Sequence, residues 1–467
     1  MKILKDAMRD AGVAGAGGAG FPSYAKLDGR AKTIILNCAE CEPLLSAHRL
    51  LLTRETRAVL EGLRLVTDAL CADAVVAVKK SYTKTITALH TLLDAEPACG
   101  SPRLALLPDV YPAGDEVLLA LDAAGISVPP GCLPIDAGAV VFNVETMYNI
   151  SRAAQGLPVT EKWVTVAGAV ERPFTAPVPI GIPLSALVAS ANGTLAPNSA
   201  YIAGGLMMGC AAEPEDPVTK TTNAVIVLPE DNWRFARRNT PIWDRSLRWD
   251  RNLRWDRSLR WDRSLRDLKR AASACCQCRA CTDLCPRRLA GYPIEPHRFM
   301  RAAAMKDLRD TAVFTDTLYC SGCGVCEVVA CPQGLSPRAL IQAYKNGLAE
   351  AGVRPEKKAC GNVSAVRALR QVDETRLKIR LGLGGYSGLA DIGYAPPAAR
   401  VKILMKQHIG LPATTCVRLG QRLEKGEQVG AAAEGLSLPA HASISGIVTE
   451  VDKDYVIIEA EGARYDE

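Results

Sequence analysis

No stretch of this 467-residue sequence reaches the ~18 consecutive apolar residues of a membrane-crossing helix, so no membrane span is expected. No secretory signal is expected either. Met1–Asp10 carries charges at Lys2, Lys5, Asp6, Arg9 and Asp10, with no apolar run leading to a small-residue cleavage site. That segment should form a short amphipathic helix, with Ile3, Leu4, Ala7, Met8 and Ala11 on the side that docks onto its own domain. Nor is there a nucleic-acid-binding signature, although the net charge is +6. The excess of base is local. A hexad repeats four times over Trp243–Arg266 (WDRSLR, WDRNLR, WDRSLR, WDRSLR), and each copy holds two Arg and one Asp. The four copies supply +4 and leave +2 for the rest of the chain. On a helix a period of six turns each copy by about 240°, which scatters the tryptophans, and a strand gathers them no better. The repeat reads as an expanded surface linker.

Cysteine, by contrast, is plentiful and clustered. Nine of the 17 cysteines fall in Cys275–Cys331, while a secreted disulfide scaffold would be short and dense throughout. The pattern points to a metal site in a reducing, cytoplasmic setting. Cys275-x2-Cys278-x2-Cys281-x3-Cys285-Pro286 is the bacterial ferredoxin run, whose fourth thiolate reaches the other cluster in two-cluster folds. A partner run follows as Cys320-x2-Cys323-x2-Cys326-x4-Cys331-Pro332, one residue longer before its last cysteine. The expected pairing is crosswise: Cys275, Cys278, Cys281 and Cys331 on one [4Fe–4S] cluster, and Cys320, Cys323, Cys326 and Cys285 on the other. Zinc also takes four thiolates, but usually from two separated CxxC pairs. Cys71, Cys99, Cys132, Cys210, Cys360 and Cys416 are scattered, and each is expected to be a small buried apolar residue.

A chain of this length should hold about three or four domains. Residues 1–155 alternate strand-like runs (Thr33–Leu36, Ala74–Val78) with a helical stretch (His48–Ala69), which suggests an α/β layer domain. Residues 160–230 are β-rich and 231–266 form the linker. Residues 267–350 carry the clusters, 351–395 connect, with helix expected over Ser364–Leu369 and on to Arg380, and 396–467 read as a small all-β domain.

Within the first of these, Gly15-Ala16-Gly17-Gly18-Ala19-Gly20-Phe21-Pro22 is dense enough in glycine for backbone N–H groups to approach a phosphate, with Lys26 available to neutralise it. Asn37-Cys38-Ala39-Glu40-Cys41-Glu42-Pro43 then places polar groups where a strand-like run leaves the sheet, the edge at which open α/β sheets bind ligands. Tyr111-Pro112-Ala113-Gly114-Asp115-Glu116 and Asn143-Val144-Glu145-Thr146 follow in order. These four motifs resemble the flavin-binding subunit of respiratory complex I and its relative, the RnfC family. The resemblance implies FMN held by Gly15, Gly17, Gly18, Gly20, Lys26, Asn37, Glu40, Gly114, Asp115 and Asn143. NADH would stack near Phe21, with Glu42 and Glu116 close to its ribose and nicotinamide. Ala16, Ala39 and Asp115 depart from the complex I pattern.

Gly204-Gly205-Leu206-Met207-Met208-Gly209 and Pro217–Thr222 are similar to the RnfC line. In RnfC a biotinyl-type barrel usually comes first; here the similar piece, around Pro439–Val448, is last. That order, the x4 spacing and Gly334–Arg338 resemble the cobalamin reductases of propanediol-utilisation microcompartments. The implied architecture is multidomain α/β: a complex I-like flavin domain, a β-grasp (SLBB) module, a helical two-[4Fe–4S] ferredoxin-type domain and a C-terminal barrel-sandwich β domain. The implied function is NADH-dependent delivery of single electrons to cobalamin or another one-electron acceptor, in or beside a bacterial microcompartment. A shell protein or an adenosyltransferase would be its protein partner. Alternatives are an RnfC-like subunit of a membrane ferredoxin:NAD oxidoreductase, or a carrier recycling NAD for a glycyl-radical pathway. No DxHxxG-type corrinoid motif surrounds any of the five histidines, and His441 is expected to be a surface or turn residue. Residues 437–446 contain no lysine, so the terminal β domain is expected to dock or support and not to swing a carrier arm.

Overall fold

The computed structural model describes residues 1–95, 101–232, 267–386, 391–392 and 397–461; the hexad repeat lies outside these. Four parallel strands, Thr33–Asn37 (β1), Asp73–Lys79 (β2), Arg103–Leu107 (β3) and Ala139–Asn143 (β5), form a sheet in the order β3-β2-β1-β5. A short strand, Val110–Tyr111 (β4), stands apart from it. The sequences TIILN, DAVVAVK and AVVFN are nearly continuous apolar runs because both faces of a parallel sheet are covered. On one face Ile34, Leu36, Val76 and Val78 meet Lys2–Asp10 (α1), Thr56–Leu70 (α3) and Val144–Ala154 (α6). Ala47–Arg54 (α2) and Thr83–Ala95 (α4) adjoin the same layer. On the other face Ile35, Val75, Ala77 and Val141 pack on Glu116–Ala124 (α5) and on Tyr292, Ile294 and Tyr319 of the cysteine-rich segment.

Three local expectations need correction. Leu4, Met8 and Ala11 are buried as expected, but Ile3 points to solvent on the far side of α1. The helix expected over His48–Ala69 breaks at Glu55 (φ −113°), where the Thr56 hydroxyl donates to Leu52 O at 2.6 Å and competes with the helical pattern. Residues 364–380 are not one helix. A two-residue strand, Val372–Asp373, pairs with β4, and a helix then spans Glu374–Arg380, capped by the Asp373 carboxylate.

The second sheet is mixed, in the order Asp391–Ile392, β7, β6, β10, β8, β9. Its strands are Glu161–Gly168 (β6), Phe174–Pro179 (β7), Ser199–Ala203 (β8), Cys210–Ala212 (β9) and Ala224–Pro229 (β10). One helix, Leu184–Ser190 (α7), buries Leu184, Leu187 and Val188 against it, the arrangement of a β-grasp module. The cysteine-rich segment is helical, with Phe299, Phe314 and Tyr344 in mutual ring contact at its centre. Residues Arg400–Glu459 form two small antiparallel sheets whose Val401, Ile403, Met405 and Val456 enter the same core as α1.

That core makes the terminal β domain a support. The Lys220 ammonium, fully buried, donates to Gly12 O (2.7 Å) and Pro439 O (3.1 Å), while Gln407 Oε1 accepts from Lys220 N (3.0 Å). A lysine of the β-grasp module thus reaches the carbonyl at the terminal domain's tip and a carbonyl just past the end of α1, where positive charge is favoured. His441 is buried at this junction, not on the surface. His408 Nε2 accepts from Leu438 N at 3.0 Å, which requires a neutral ring nitrogen there. Burial and the neighbouring Lys220 pull His408 down to about 4 and His441 to about 3, and burial pulls Lys220 down to about 7. Groups held below their ordinary values bind fewer protons folded than unfolded, so stability rises with pH across each gap. For the histidines the gap runs from about 6.5 down to about 4 and 3. Anaerobic thermal melts should therefore show stability falling as pH drops from 6.5 toward 4, and a His408→Asn, His441→Asn variant should fall less steeply. Equal slopes would mean that both rings titrate freely in the folded protein.

Candidate functional site

Because β1, β2, β3 and β5 are parallel, their carboxyl ends share one edge, and the segments after β1, β3 and β5 converge there. The glycine loop lies over that edge, closed by Gly15 N to Phe21 O (2.8 Å) and Gly20 N to Gly15 O (3.2 Å). Gly18 takes φ +109°, open only to glycine in practice. The N–H groups of Gly17, Gly18 and Ala19 have no partner among the described residues, and all three residues are exposed. A side chain at Gly17 would come within 3.6 Å of Asn143. Exposed amides on a loop that leaves room for close approach suit the phosphate of FMN.

The loop rests on the NVET segment. Asn143 Oδ1 caps α6 by accepting from Glu145 N (3.0 Å), and Thr146 Oγ1 accepts from Ala16 N (3.0 Å). The fully buried Glu145 carboxylate accepts from Trp163 N (3.0 Å) and is ion-paired with the buried Lys162, which also reaches Ala16 O. Burial alone would push this carboxyl up; Lys162 and His48 outweigh it and hold it below its ordinary value. His48 lies between Glu145 (3.6 Å) and Glu40 (3.8 Å), and its Nδ1 contacts Asn143 Nδ2 at 3.2 Å.

The residues expected around the flavin are gathered here with unequal freedom. Asn37 ties its own loop to the next one, donating to Gly114 O (3.1 Å) and accepting from Ala39 N (3.0 Å). Lys26 donates to Val141 O (2.9 Å) and Glu116 (3.2 Å), and Glu116 is exposed. Phe21 is partly buried, and Glu40 is buried with its carboxylate on the first amides of α2 (His48 N and Arg49 N). Two acids are drawn elsewhere. The Glu42 carboxylate accepts from Met207 N and Met208 N at 2.8 Å each, which turns it toward the β-grasp module. Asp115 caps α5 and pairs with Arg287 at 2.8 Å.

The eight candidate ligand cysteines surround two separate hollows. One is lined by Cys275, Cys278, Cys281 and Cys331, the other by Cys285, Cys320, Cys323 and Cys326. This is the crosswise grouping. The extra residue before Cys331 is absorbed by a π turn over Cys326–Ala330, which gives the wider loop that an x4 spacing needs. Thiolates around a single zinc would stand only ~3.8 Å apart; among the described residues no three His, Cys, Asp or Glu side chains close on such a point. Hollows walled by sulfur fit cubane clusters. Burial pushes the Cys281, Cys285 and Cys323 thiols up to about 12, so their thiolates need the positive charge of bound iron. Backbone amides of Gly322 and Leu335 donate to Cys320 Sγ and Cys331 Sγ at 3.3 Å each.

The two hollows differ in position. Tyr111 OH donates to Cys323 O at 2.7 Å, and Arg287 joins the Cys285 turn to Asp115, so the second hollow abuts the flavin-side loops. At the first, Cys276, Cys278, Arg279, Pro332 and Gln333 are exposed. Among the scattered cysteines, Cys71, Cys210 and Cys416 prove exposed: the first is a left-handed helix cap, the second opens a short edge strand and the third directly follows another. Cys99 lies outside the described residues.

Sequence reasoning passed over His48, Lys162, Lys220 and Arg287. Lys162 carried a weak signal as a charge at the start of a strongly apolar strand run; Lys220 lies among threonines, and its contacts, like those of His48 and Arg287, are long-range and had none.

The chain is 37% identical over 98% of its length to the cobalamin reductase PduS of Citrobacter freundii, covering 96% of that protein. It is 36% identical over 97% of its length to the Salmonella typhimurium PduS, again covering 96%. This chain belongs to the PduS cobalamin reductase family. Three family models match it: the Nuo51 FMN-binding domain over residues 8–152, a 4Fe–4S dicluster domain over 274–336 and the RnfC barrel sandwich hybrid domain over 386–464. A component of the Na⁺-translocating ferredoxin:NAD⁺ oxidoreductase complex of Acetobacterium woodii is 33% identical over 50% of this chain and 54% of its own length. A polypeptide of an NAD⁺-reducing [NiFe]-hydrogenase superposes with a TM-score of 0.46 at 20% identity, covering 76% of this chain and 62% of its own length. As a PduS-family oxidoreductase the protein carries FMN and two [4Fe–4S] clusters.

The crosswise grouping has a direct check. Cys285→Ser and Cys323→Ser should remove the same cluster signal by electron paramagnetic resonance, and Cys331→Ser the other, each variant keeping about half of the iron. If Cys285→Ser instead abolishes the signal lost in Cys275→Ser, the grouping is wrong.

Proposed function

We propose that the protein takes electrons from NADH and delivers them singly to a corrinoid, reducing cob(III)alamin toward cob(I)alamin for a B12-dependent enzyme of a bacterial microcompartment. The observation that carries this reading is the near-full-length match to two cobalamin reductases, which spans the flavin, β-grasp, cluster and terminal β regions alike. No helix among the described residues is long and apolar enough to cross a membrane. A shell protein or an adenosyltransferase is the protein partner in this reading. The RnfC-type relatives favour a second one, a subunit of a membrane ferredoxin:NAD oxidoreductase, but over only about half of the chain.

When bound, FMN supplies the change from two-electron to one-electron chemistry. The chain's own residues fix where that exchange happens. The Glu145–Lys162 pair holds the glycine loop against α6, and the Lys26–Glu116 pair closes the opposite side of the sheet edge. Tyr111 and Arg287 clamp the inner cysteine hollow to the same edge, which makes it the first stop outward. The outer hollow, with Cys278 and Arg279 exposed at its rim, is then the side from which an acceptor draws electrons. Glu42 and Arg338 both bind the Met207–Met208 backbone, so the β-grasp loop is locked between the sheet edge and the cluster segment.

An anaerobic visible-spectrum assay with NADH as donor and aquocobalamin as acceptor tests the reading, run beside Cys323→Ser because free reduced flavin can reduce cobalamin unaided. The wild type should reduce cobalamin at least about tenfold faster than the variant. NADH-driven bleaching of flavin and clusters with no cluster-dependent cobalamin turnover would move the acceptor to another partner.

A further inference from the structure

The flavin-side loop has a wall that belongs to the β-grasp module, and that wall offers an unused hydrogen-bonding group. Three residues of the segment Lys220–Asn223 touch the loop in turn. Lys220 donates to Gly12 O at the root, Thr221 Cγ2 lies 3.0 Å from where a Gly20 side chain would begin, and Asn223 Nδ2 lies 3.9 Å from the same position at Gly18. Asn223 O accepts from Thr165 N (3.1 Å), which fixes its backbone to β6. Its side-chain amide makes no hydrogen bond among the described residues, and its Oδ1 is enclosed without a partner. Nδ2 is therefore the end of the amide turned to the loop, and with the three exposed, unbonded loop amides it makes a set of four donors and no acceptor, which suits an anion.

The charges around it select the ligand's sign. Lys26 is matched by Glu116, but Lys220 bonds only carbonyls and pairs with no carboxylate among the described residues. When protonated, Lys220 leaves a positive field at the root of the loop, and in a low-dielectric setting that field is poorly screened.

We propose that Asn223 donates its side-chain amide to a phosphate held by Gly17, Gly18 and Ala19, so that the β-grasp module completes the phosphate site of the flavin domain. This rests on the reading of the sheet edge as a flavin and nicotinamide site. The phosphate comes from one of two sources, the FMN phosphate or the NADH diphosphate.

The test uses the full-length protein stripped of flavin, its clusters intact, with FMN and riboflavin affinities measured by fluorescence quenching and the KM for NADH measured after reloading. A lost hydrogen bond to a charged group corresponds to about a tenfold loss of affinity or more. Asn223→Ala should weaken FMN by that factor and leave riboflavin unchanged, and Asn223→Asp should weaken FMN further by repulsion. Unchanged FMN binding with a comparably raised KM for NADH would assign the same contact to the dinucleotide and uphold the phosphate site. Equal weakening of FMN and riboflavin would make Asn223 a structural residue and overturn the proposal, as would no change in either constant. Failure of the underlying reading looks different: the wild type itself would bind neither FMN nor riboflavin.

Discussion

The buried pair of Glu145 and Lys162 is the interaction on which the rest of the structure hangs. Glu145 belongs to the first turn of α6, at the carboxyl edge of the parallel sheet, and Lys162 to the first strand of the β-grasp module. Neither side chain is exposed by more than 1%, and breaking such a pair leaves an uncompensated buried charge, typically costing about 3–5 kcal/mol. The pair also spends its remaining hydrogen-bonding capacity on Ala16 O and Trp163 N, so the glycine loop, α6 and β6 are positioned by one electrostatic event. His48 and Glu40 extend the network to α2, and with them the loop after β1 is held as well.

Charge holds the ligand-side loops, and apolar packing holds the modules that flank them. The parallel sheet has two apolar faces to cover, and it covers them with different partners. One face takes α1, α3 and α6, behind which the terminal β domain shares the core; the other takes α5 and the Tyr292, Ile294 and Tyr319 side chains of the cluster segment. The cluster segment is therefore bound to the flavin domain as part of its core. That placement brings Cys285 and Cys323 against the loop after β3.

Much of this was legible from local pattern. Each triple-cysteine run announces itself by its two-residue gaps, and the apolar strands of the parallel sheet announce themselves by composition. What stayed hidden was long-range and polar. Glu42 belongs to a motif that suggests nucleotide contact, yet its carboxylate caps two amides 165 and 166 residues away. Asp115 sits in an equally suggestive motif and pairs with Arg287, 172 residues on. His441 looked like a turn residue because only tertiary packing brings Lys220 and the end of α1 against it. Local pattern also over-read helix where hydroxyl side chains or a strand partner intervened, as at Thr56 and Val372.

The missing lysine in residues 437–446 gains a physical meaning from this arrangement. In a carrier domain the tip must be free to move, and a lysine there would project into solvent. Here Ser437, Leu438, Ala440, Ala442 and Ser443 are buried, and the Pro439 carbonyl receives Lys220 from another module. A tip that accepts a buried ammonium cannot swing without exposing Lys220 and opening the contact at Gly12. The terminal domain is thus a brace on the root of the glycine loop.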